Sequence, residues 1–214
     1  MPILPSKEFA LTLGGVLLRS NRRPMALEIV HYGEEVLHQK GVPVTLFDES
    51  LKTLFDQMVE TCIEAEGIGL AAQQIGKALM FCVVDLRGLE IDFEYTLDGT
   101  KPPLELFNPI GMCNPKVSVI DSPKTVYEEG CLSFPDIRGE VERPDWIQCD
   151  YQDIHGGAHT LRCNGLLGRC IQHEVDHLNG ILFTDRMKKK VFKKIQSAVN
   201  EIRAQTLQRN RSKT

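Results

Sequence analysis

The sequence predicts an α+β fold, with antiparallel strands around a central helix that carries a His-Glu-x-x-His motif and an amphipathic helix at the C-terminus. Two observations carry that reading. Apolar residues recur at helical spacing in three separate segments. Between them lie short runs of β-forming residues, including a pair that alternates apolar with polar around a Gly-Gly turn. A chain of 214 residues, 42% hydrophobic and 25% charged, is long enough to bury a core and has the composition of an ordinary globular protein. The longest apolar run, Ala10 to Leu18, falls well short of the ~18–20 residues a membrane span needs, so no transmembrane helix is expected.

Taken in order, residues 1–24 hold that apolar run followed by Arg19, Arg22 and Arg23. The positive charge follows the apolar stretch and no small-residue cleavage site is evident. The segment is therefore read as an N-terminal extension rather than a signal peptide, with an organelle transit peptide as the alternative. Leu51, Leu54, Phe55, Met58 and Cys62 then recur at helical spacing, with Asp48 placed to cap the start and Gly67 beyond the end. Leu79 to Leu86 reads as a strand, and so does Lys116 to Ile120. Residues 87–109 are acidic and turn-rich, with Gly99, Pro102 and Pro103, and are read as a surface insertion. Ile147, Cys149 and Tyr151 alternate with polar residues before Gly156-Gly157, the signature of a hairpin. Leu166 to Leu178 forms the next helix. Finally Phe192, Ile195, Val199 and Ile202 step by 3, 4 and 3, marking a terminal amphipathic helix. That pattern weakens further on, where the next position falls on Thr206 and the apolar residue is its neighbour Leu207. The organisation expected is an extension over 1–24, a main domain over 25–187 with the insertion at 87–109, and a basic helix and tail over 188–214.

Charge divides along the same line. Residues 186–214 hold ten Lys/Arg against the single acid Glu201, whereas the rest of the chain holds fifteen against twenty-eight Asp/Glu. An acidic body with a basic tail points to an electrostatic tether toward something anionic, such as nucleic acid, with a solvated amphipathic helix as the alternative. Seven cysteines without a Cys-x-x-Cys pair argue against a disulfide framework and a four-cysteine zinc site, and favour a reducing compartment.

The sharpest signal is His173-Glu174-Val175-Asp176-His177. On a helix, residues i and i+4 share a face, so both imidazoles can reach one metal while Glu174 stands beside it as a general base. With six His and seventeen Glu in the chain, chance supplies only about 0.013 such motifs. A catalytic site of this type needs a third protein ligand and an open position. The extended pattern with a third histidine fails, because its last position is Phe183. Glu201 is the only Glu further downstream, and a thiolate from elsewhere in the chain is the other candidate. Cys131 stands in Glu129-Gly130-Cys131-Leu132-Ser133, but on its own it is no better marked than the other six cysteines. Gly67 and Gly69 are not a phosphate cradle, since no Gly-Lys-Ser/Thr follows. Two alanines before Gln74 would let an extended peptide approach the backbone closely. His155 and His159 flank the hairpin turn and read as surface residues.

Three separated segments, Gly67-Ile68-Gly69-Leu70-Ala71-Ala72-Gln73-Gln74, Glu129 to Ser133, and Gln172 to His177 continuing through Gly180, resemble in order the active-site segments of the peptide deformylases. The resemblance covers about residues 26–187. It implies removal of the formyl group from the N-terminal formylmethionine of newly synthesised proteins, releasing formate. It further implies that Cys131, His173 and His177 ligate one divalent metal, Fe²⁺ in the native state with Zn²⁺, Ni²⁺ or Co²⁺ as alternatives. Glu174 would carry the proton, and the Gln74 side-chain amide and Leu132 backbone N–H would serve the oxyanion. Gly67, Ile68, Gly69, Arg138 and Cys170 would meet the substrate, while Glu129, Arg143 and Asp176 would support the ligands. Arg169 stands where some family members have an apolar residue. The partners implied are N-formylmethionyl nascent peptides and, through the basic C-terminal helix, the ribosome, with no membrane. A bacterial source would place the protein in the cytoplasm, and organelle import is the alternative. Two rival readings are an endopeptidase using Glu201 as third ligand and a metal-containing peptide-binding protein without turnover.

Overall fold

Asp48 starts the first helix, α1 (Glu49–Glu64), by accepting hydrogen bonds from the Ser50 and Leu51 N–H groups, two of the donors a helix start leaves unpaired. At the other end Glu66, with φ 54°, takes the left-handed position, and the Gly67 N–H donates back to Cys62 O at 2.8 Å. The terminating role expected near Gly67 thus falls one residue earlier. The computed structural model describes residues 25–89, 93–120 and 122–213. The 1–24 extension lies outside the described residues.

Six strands form one antiparallel sheet: β1 (Gly69–Ala71), β2 (Phe81–Val84), β3 (Tyr95–Leu97), β4 (Ile110–Val119), β7 (Ile147–Gln152) and β8 (Ala158–Cys163), in the spatial order β1-β2-β4-β7-β8-β3. Side chains alternate across β2. Phe81 and Val83 pack with Leu51, Met58 and Cys62 of α1, whereas Cys82 and Val84 pack with Leu167, Cys170 and Ile171 on the other face. Coverage on both faces is why this strand reads as an unbroken apolar run. The 87–109 segment is more than a surface insertion, because it supplies β3, the edge strand beside β8, and buries Tyr95 in the core. Its turn-forming neighbours masked that short strand.

Strands β5 (Lys124–Cys131) and β6 (Phe134–Pro144) make a separate two-stranded ribbon, joined through Leu132 and Ser133. Its inward face is Ile137, Gly139, Val141 and Arg143, an alternation diluted by the charged residues between. Helix α2 (Gly165–Leu178) carries the His-Glu-x-x-His motif and is buried at eleven of its fourteen positions, which makes it the central helix. The short α3 (Phe183–Arg186) leads into α4 (Lys189–Lys213), which packs on β6. The buried face of α4 continues from Val199 to Thr206, which is 3% exposed against Gly33, and Leu207 points outward at 41%. A hydroxyl-bearing side chain holds the place where an apolar one would be sought.

Candidate active site

His173 and His177, one turn apart on α2, stand with ring centroids 5.0 Å apart. The turn that ends β5 brings Cys131 against them, with Sγ 3.3 Å from His177 Nε2. One ligand-capable atom from each of the three lies within 4.8 Å of the others. The remaining six cysteines are buried in the cores while Cys131 is half-buried. Burial pushes the thiols of Cys62, Cys113 and Cys149 up to about 12, which keeps them protonated and inert as ligands. Glu201 is exposed on α4, where it accepts a hydrogen bond from Gln205 Nε2 at 3.3 Å, and it has no part in the cluster. Among the described residues the metal-capable group is Cys131 with the two histidines, and α4, which carries Glu201, packs on β6.

A chain of buried charges orients the histidines. Glu129 Oε2 accepts from His173 Nδ1 at 3.0 Å, which leaves Nε2 as the atom of that ring free for a metal. Arg143 donates to both Glu129 oxygens at 2.7 and 3.0 Å and to Asp176 Oδ2 at 2.7 Å. Arg169 Nη1 reaches Glu129 Oε1 at 2.8 Å, and Arg186 closes the far end on Asp176 at 2.6 and 3.1 Å. Burial alone would raise the Glu129 carboxyl, but the hydrogen bonds from His173 and Arg143 hold it far below the usual carboxylate range. The Glu129–Arg143 pair and Asp176 therefore sit where the sequence expects support for the ligands. Asp176 acts one step removed, on Arg143 rather than on a histidine.

Glu174 lines the cleft next to His173, 3% exposed, with Oε2 buried and without a hydrogen-bond partner. Burial pushes its carboxyl up to about 7, against the lowering pull of His173 and Arg143. Gln74 is held by its own carbonyl: Oε1 accepts the Ala71 N–H at 2.8 Å, which turns Nε2 toward Cys131 Sγ at 3.5 Å. An open cleft of about 680 Å³ meets these groups, lined by Gly67, Ile68, Gly69, Leu132, Arg138 and Cys170 among others. The glycines make room for the protein's own side chains. A Cβ on Gly69 would stand 2.5 Å from Glu174 Oε1, and one on Gly67 would stand 2.8 Å from Leu132 Cδ1. Cys170 Sγ lies 3.4 Å from Ile68 O, so both sit at the same place in the cleft wall, and the exposed Arg138 runs beside Gly130.

Sequence reasoning missed Arg169 as a member of this network. Beyond Glu129 it donates to Val141 O and Thr125 O and lies over the Tyr127 ring at 5.4 Å. An arginine four residues before His173 on an otherwise apolar helix face was the available signal. Arg186 was missed too, because its partner Asp176 is reached only once α3 folds back. The donor set of one thiolate and two imidazoles, drawn together with a buried unpartnered carboxylate alongside, fits a single divalent transition metal.

A family profile described as polypeptide deformylase matches residues 26–193. The chain is 57% identical over 180 residues to a peptide deformylase of Opitutus terrae, covering 83% of this chain and 93% of that protein. It is 39% identical over 180 residues to a peptide deformylase of Chlorobium luteolum, covering 84% and 88%. Among solved structures it is similar to Plasmodium falciparum peptide deformylase in complex with an inhibitor, with TM-score 0.69 and 33% identity over 82% of this chain and 98% of the other. The corresponding values for peptide deformylase from Thermotoga maritima are TM-score 0.65, 37% identity, 76% and 98%.

Proposed function

Because this chain belongs to the polypeptide deformylase family, whose members are metal-dependent hydrolases that remove the formyl group from N-formylmethionyl peptides, we propose that Cys131, His173 and His177 hold its metal and that Glu174 carries the proton. The observation that carries this is the convergence of the three ligand atoms within 4.8 Å beside the buried Glu174 carboxyl. The donor set suits Fe²⁺, Zn²⁺, Ni²⁺ or Co²⁺, and Fe²⁺ is the metal proposed for the native protein.

When bound, such a metal acts as a Lewis acid on the formyl group and lowers the pKa of water at its open position. Every other part of the reaction falls to the chain's own groups. Glu174 Oε2, which has no other partner, takes the proton of the attacking water and returns it to the amine nitrogen as the formyl C–N bond breaks. Gln74 Nε2, aimed by the Ala71 N–H, donates to the oxygen that gains negative charge, and the Leu132 backbone N–H is the second donor. Losing one such donor costs about 10² to 10³ in rate. Glu129 keeps the His173 ring oriented, and Arg143 with Arg169 keeps Glu129 ionised in a buried place. The first side chain of the substrate enters the cleft beside Ile68 and Cys170, with Arg138 along the following residues.

Formate release from a formyl-Met tripeptide, with metal content measured on the same sample, tests this reading. Turnover proportional to bound metal is expected. Cleavage of internal bonds in unformylated peptides, or metal binding without turnover, would overturn it.

The basic tail is proposed to serve the same substrate by docking on the ribosome. Lys189, Lys190, Lys193 and Lys194 are exposed on α4 while Val199 and Thr206 face the body, which supports an anionic surface as partner. Such contacts release counterions and weaken with salt. Charge reversal at Lys189, Lys190 and Lys194 is expected to weaken ribosome co-sedimentation at moderate salt, and unchanged co-sedimentation would refute the docking. Among the described residues no helix is long and apolar enough to cross a membrane. A cytoplasmic location is proposed on the strength of the bacterial relatives.

A further inference from the structure

Pro135, Asp136 and Ile137 bound the cleft on one side, and the same three residues form a wall of a second open groove of about 540 Å³. The facing wall is α4, through Ala198, Glu201, Ile202 and Gln205. The crest between the two spaces is a bulge in β6, where the pairing register with β5 shifts between Arg138 and Phe134. Asp136, at φ 60°, and Pro135 are exposed on top of it, while Ile137 turns inward at 6% exposure. The groove is as large as many small-ligand sites, which run from ~300 to 1,000 Å³.

Its chemistry is mixed rather than of one sign. Asp136 and Glu201 offer acceptors, and Gln205 offers an amide whose Nε2 reaches Glu201 at 3.3 Å. Arg209 and His31 line the groove too; Arg209 is paired with Glu28 at 3.6 Å and Glu34 at 3.8 Å, and its Nε is buried without a hydrogen-bond partner. A phosphate or nucleotide would meet the carboxylates of Asp136 and Glu201 here, beside an arginine already paired with two others. A peptide main chain, which presents N–H and C=O groups in turn, finds acceptors and donors on the same wall.

We propose that this groove continues the substrate cleft and holds downstream residues of the formylated peptide, as extended main chain that has passed over the crest at Asp136. The inference rests on the deformylase reading and deepens it, naming the substrate as a growing chain rather than a terminal tripeptide. A nine-residue extended peptide spans ~30 Å, long enough to leave the cleft and lie along α4. Because the groove recognises main chain, the benefit follows substrate length rather than one particular side chain.

The experiment compares kcat/KM of the full-length, metal-loaded protein for a formyl-Met tripeptide and for a formyl-Met nonapeptide. The longer substrate is expected to be better by about tenfold, chiefly through KM, because the added contacts are the same in ground and transition states. Ala198→Trp fills the groove from the exposed face of α4 and should bring the ratio of the two values close to one. Gln196→Trp, also exposed on α4 but outside the groove, should leave the ratio unchanged. Should Ala198→Trp fail to turn over even the tripeptide, Glu201→Trp narrows the same space and is read the same way. Equal kcat/KM for the two lengths in the unmodified protein, with the tripeptide turned over, would overturn the groove alone. A length effect untouched by these groove variants would overturn it too. No formate from either substrate would sink the deformylase reading and the groove with it.

Discussion

Replacing Gly69 with alanine asks whether packing against β1 sets the place of the Glu174 carboxyl. Gly69 lies outside the left-handed region, so alanine meets no backbone strain there. The cost is contact. The new Cβ would stand 2.5 Å from Glu174 Oε1, 2.9 Å from Glu174 Cδ and 2.7 Å from Cys170 Sγ. Its distance to Oε1 is 0.9 Å short of the 3.4 Å at which ordinary van der Waals contact begins. Glu174 is 3% exposed and Cys170 4%, both on α2, so neither has open space to withdraw into. A misplacement of roughly 1 Å among reacting groups costs about 10²-fold in rate, and overpacking a dense site costs about 1–3 kcal/mol in stability. The expected result is a kcat for a formyl-Met tripeptide lowered about 10²-fold, a lower Tm, and unchanged metal content, since none of the three proposed ligands is among the nearest neighbours of that Cβ. Gly67→Ala is the comparison. Its Cβ would meet Leu132 Cδ1 at 2.8 Å, the end of a flexible side chain, and the loss should stay below about tenfold. A Gly69→Ala protein with kcat within about threefold of the original would refute the reasoning, because it would mean Glu174 is placed by something other than this contact.

Glu174→Ala should abolish turnover while keeping metal, whereas Cys131→Ala should lose both, because only the second removes a ligand; metal analysis of the two purified variants separates the roles. Arg143→Met leaves the buried Glu129 with His173 and Arg169 and leaves Asp176 with Arg186, and should cost about 3 kcal/mol or more in denaturant unfolding. A cost under about 1 kcal/mol would show that the remaining partners, His173 and the two arginines, suffice. At the far end of the sheet, the hydrogen bond to Asp98, helped by Asp153, raises His159 above its ordinary value of 6.5. Its contribution to stability is therefore full below pH 6.5 and fades as pH rises through the raised value. His159→Gln should accordingly lower Tm more at pH 6 than at pH 9, and an equal loss at both would contradict the assignment.

Local patterns in the chain carried their own proof where the physics is local. Asp48 caps α1 because its side chain reaches the next N–H groups whatever lies around it. The two histidines share a face because four residues make about one helical turn. The hairpin from Ile147 follows from alternation and a Gly-Gly turn. Long-range choices were different. Seven cysteines are chemically alike on paper, and only the closing of β5 onto α2 separates Cys131, beside two imidazoles, from six that are buried elsewhere. The ribbon of β5 and β6 hid behind charged residues: Arg143 meets Glu129 only across the paired strands and Asp176 only once the ribbon packs on α2. Thr206 occupies the buried face of α4 because Gly33 leaves room for it, a fact about another segment of the chain. Periodicity and capping are properties of a few consecutive residues, so the sequence alone determined them. The gathering of Cys131 with the two histidines, the burial of charge and the wall shared by two grooves depend on residues far apart in the chain, and only the tertiary structure could decide them.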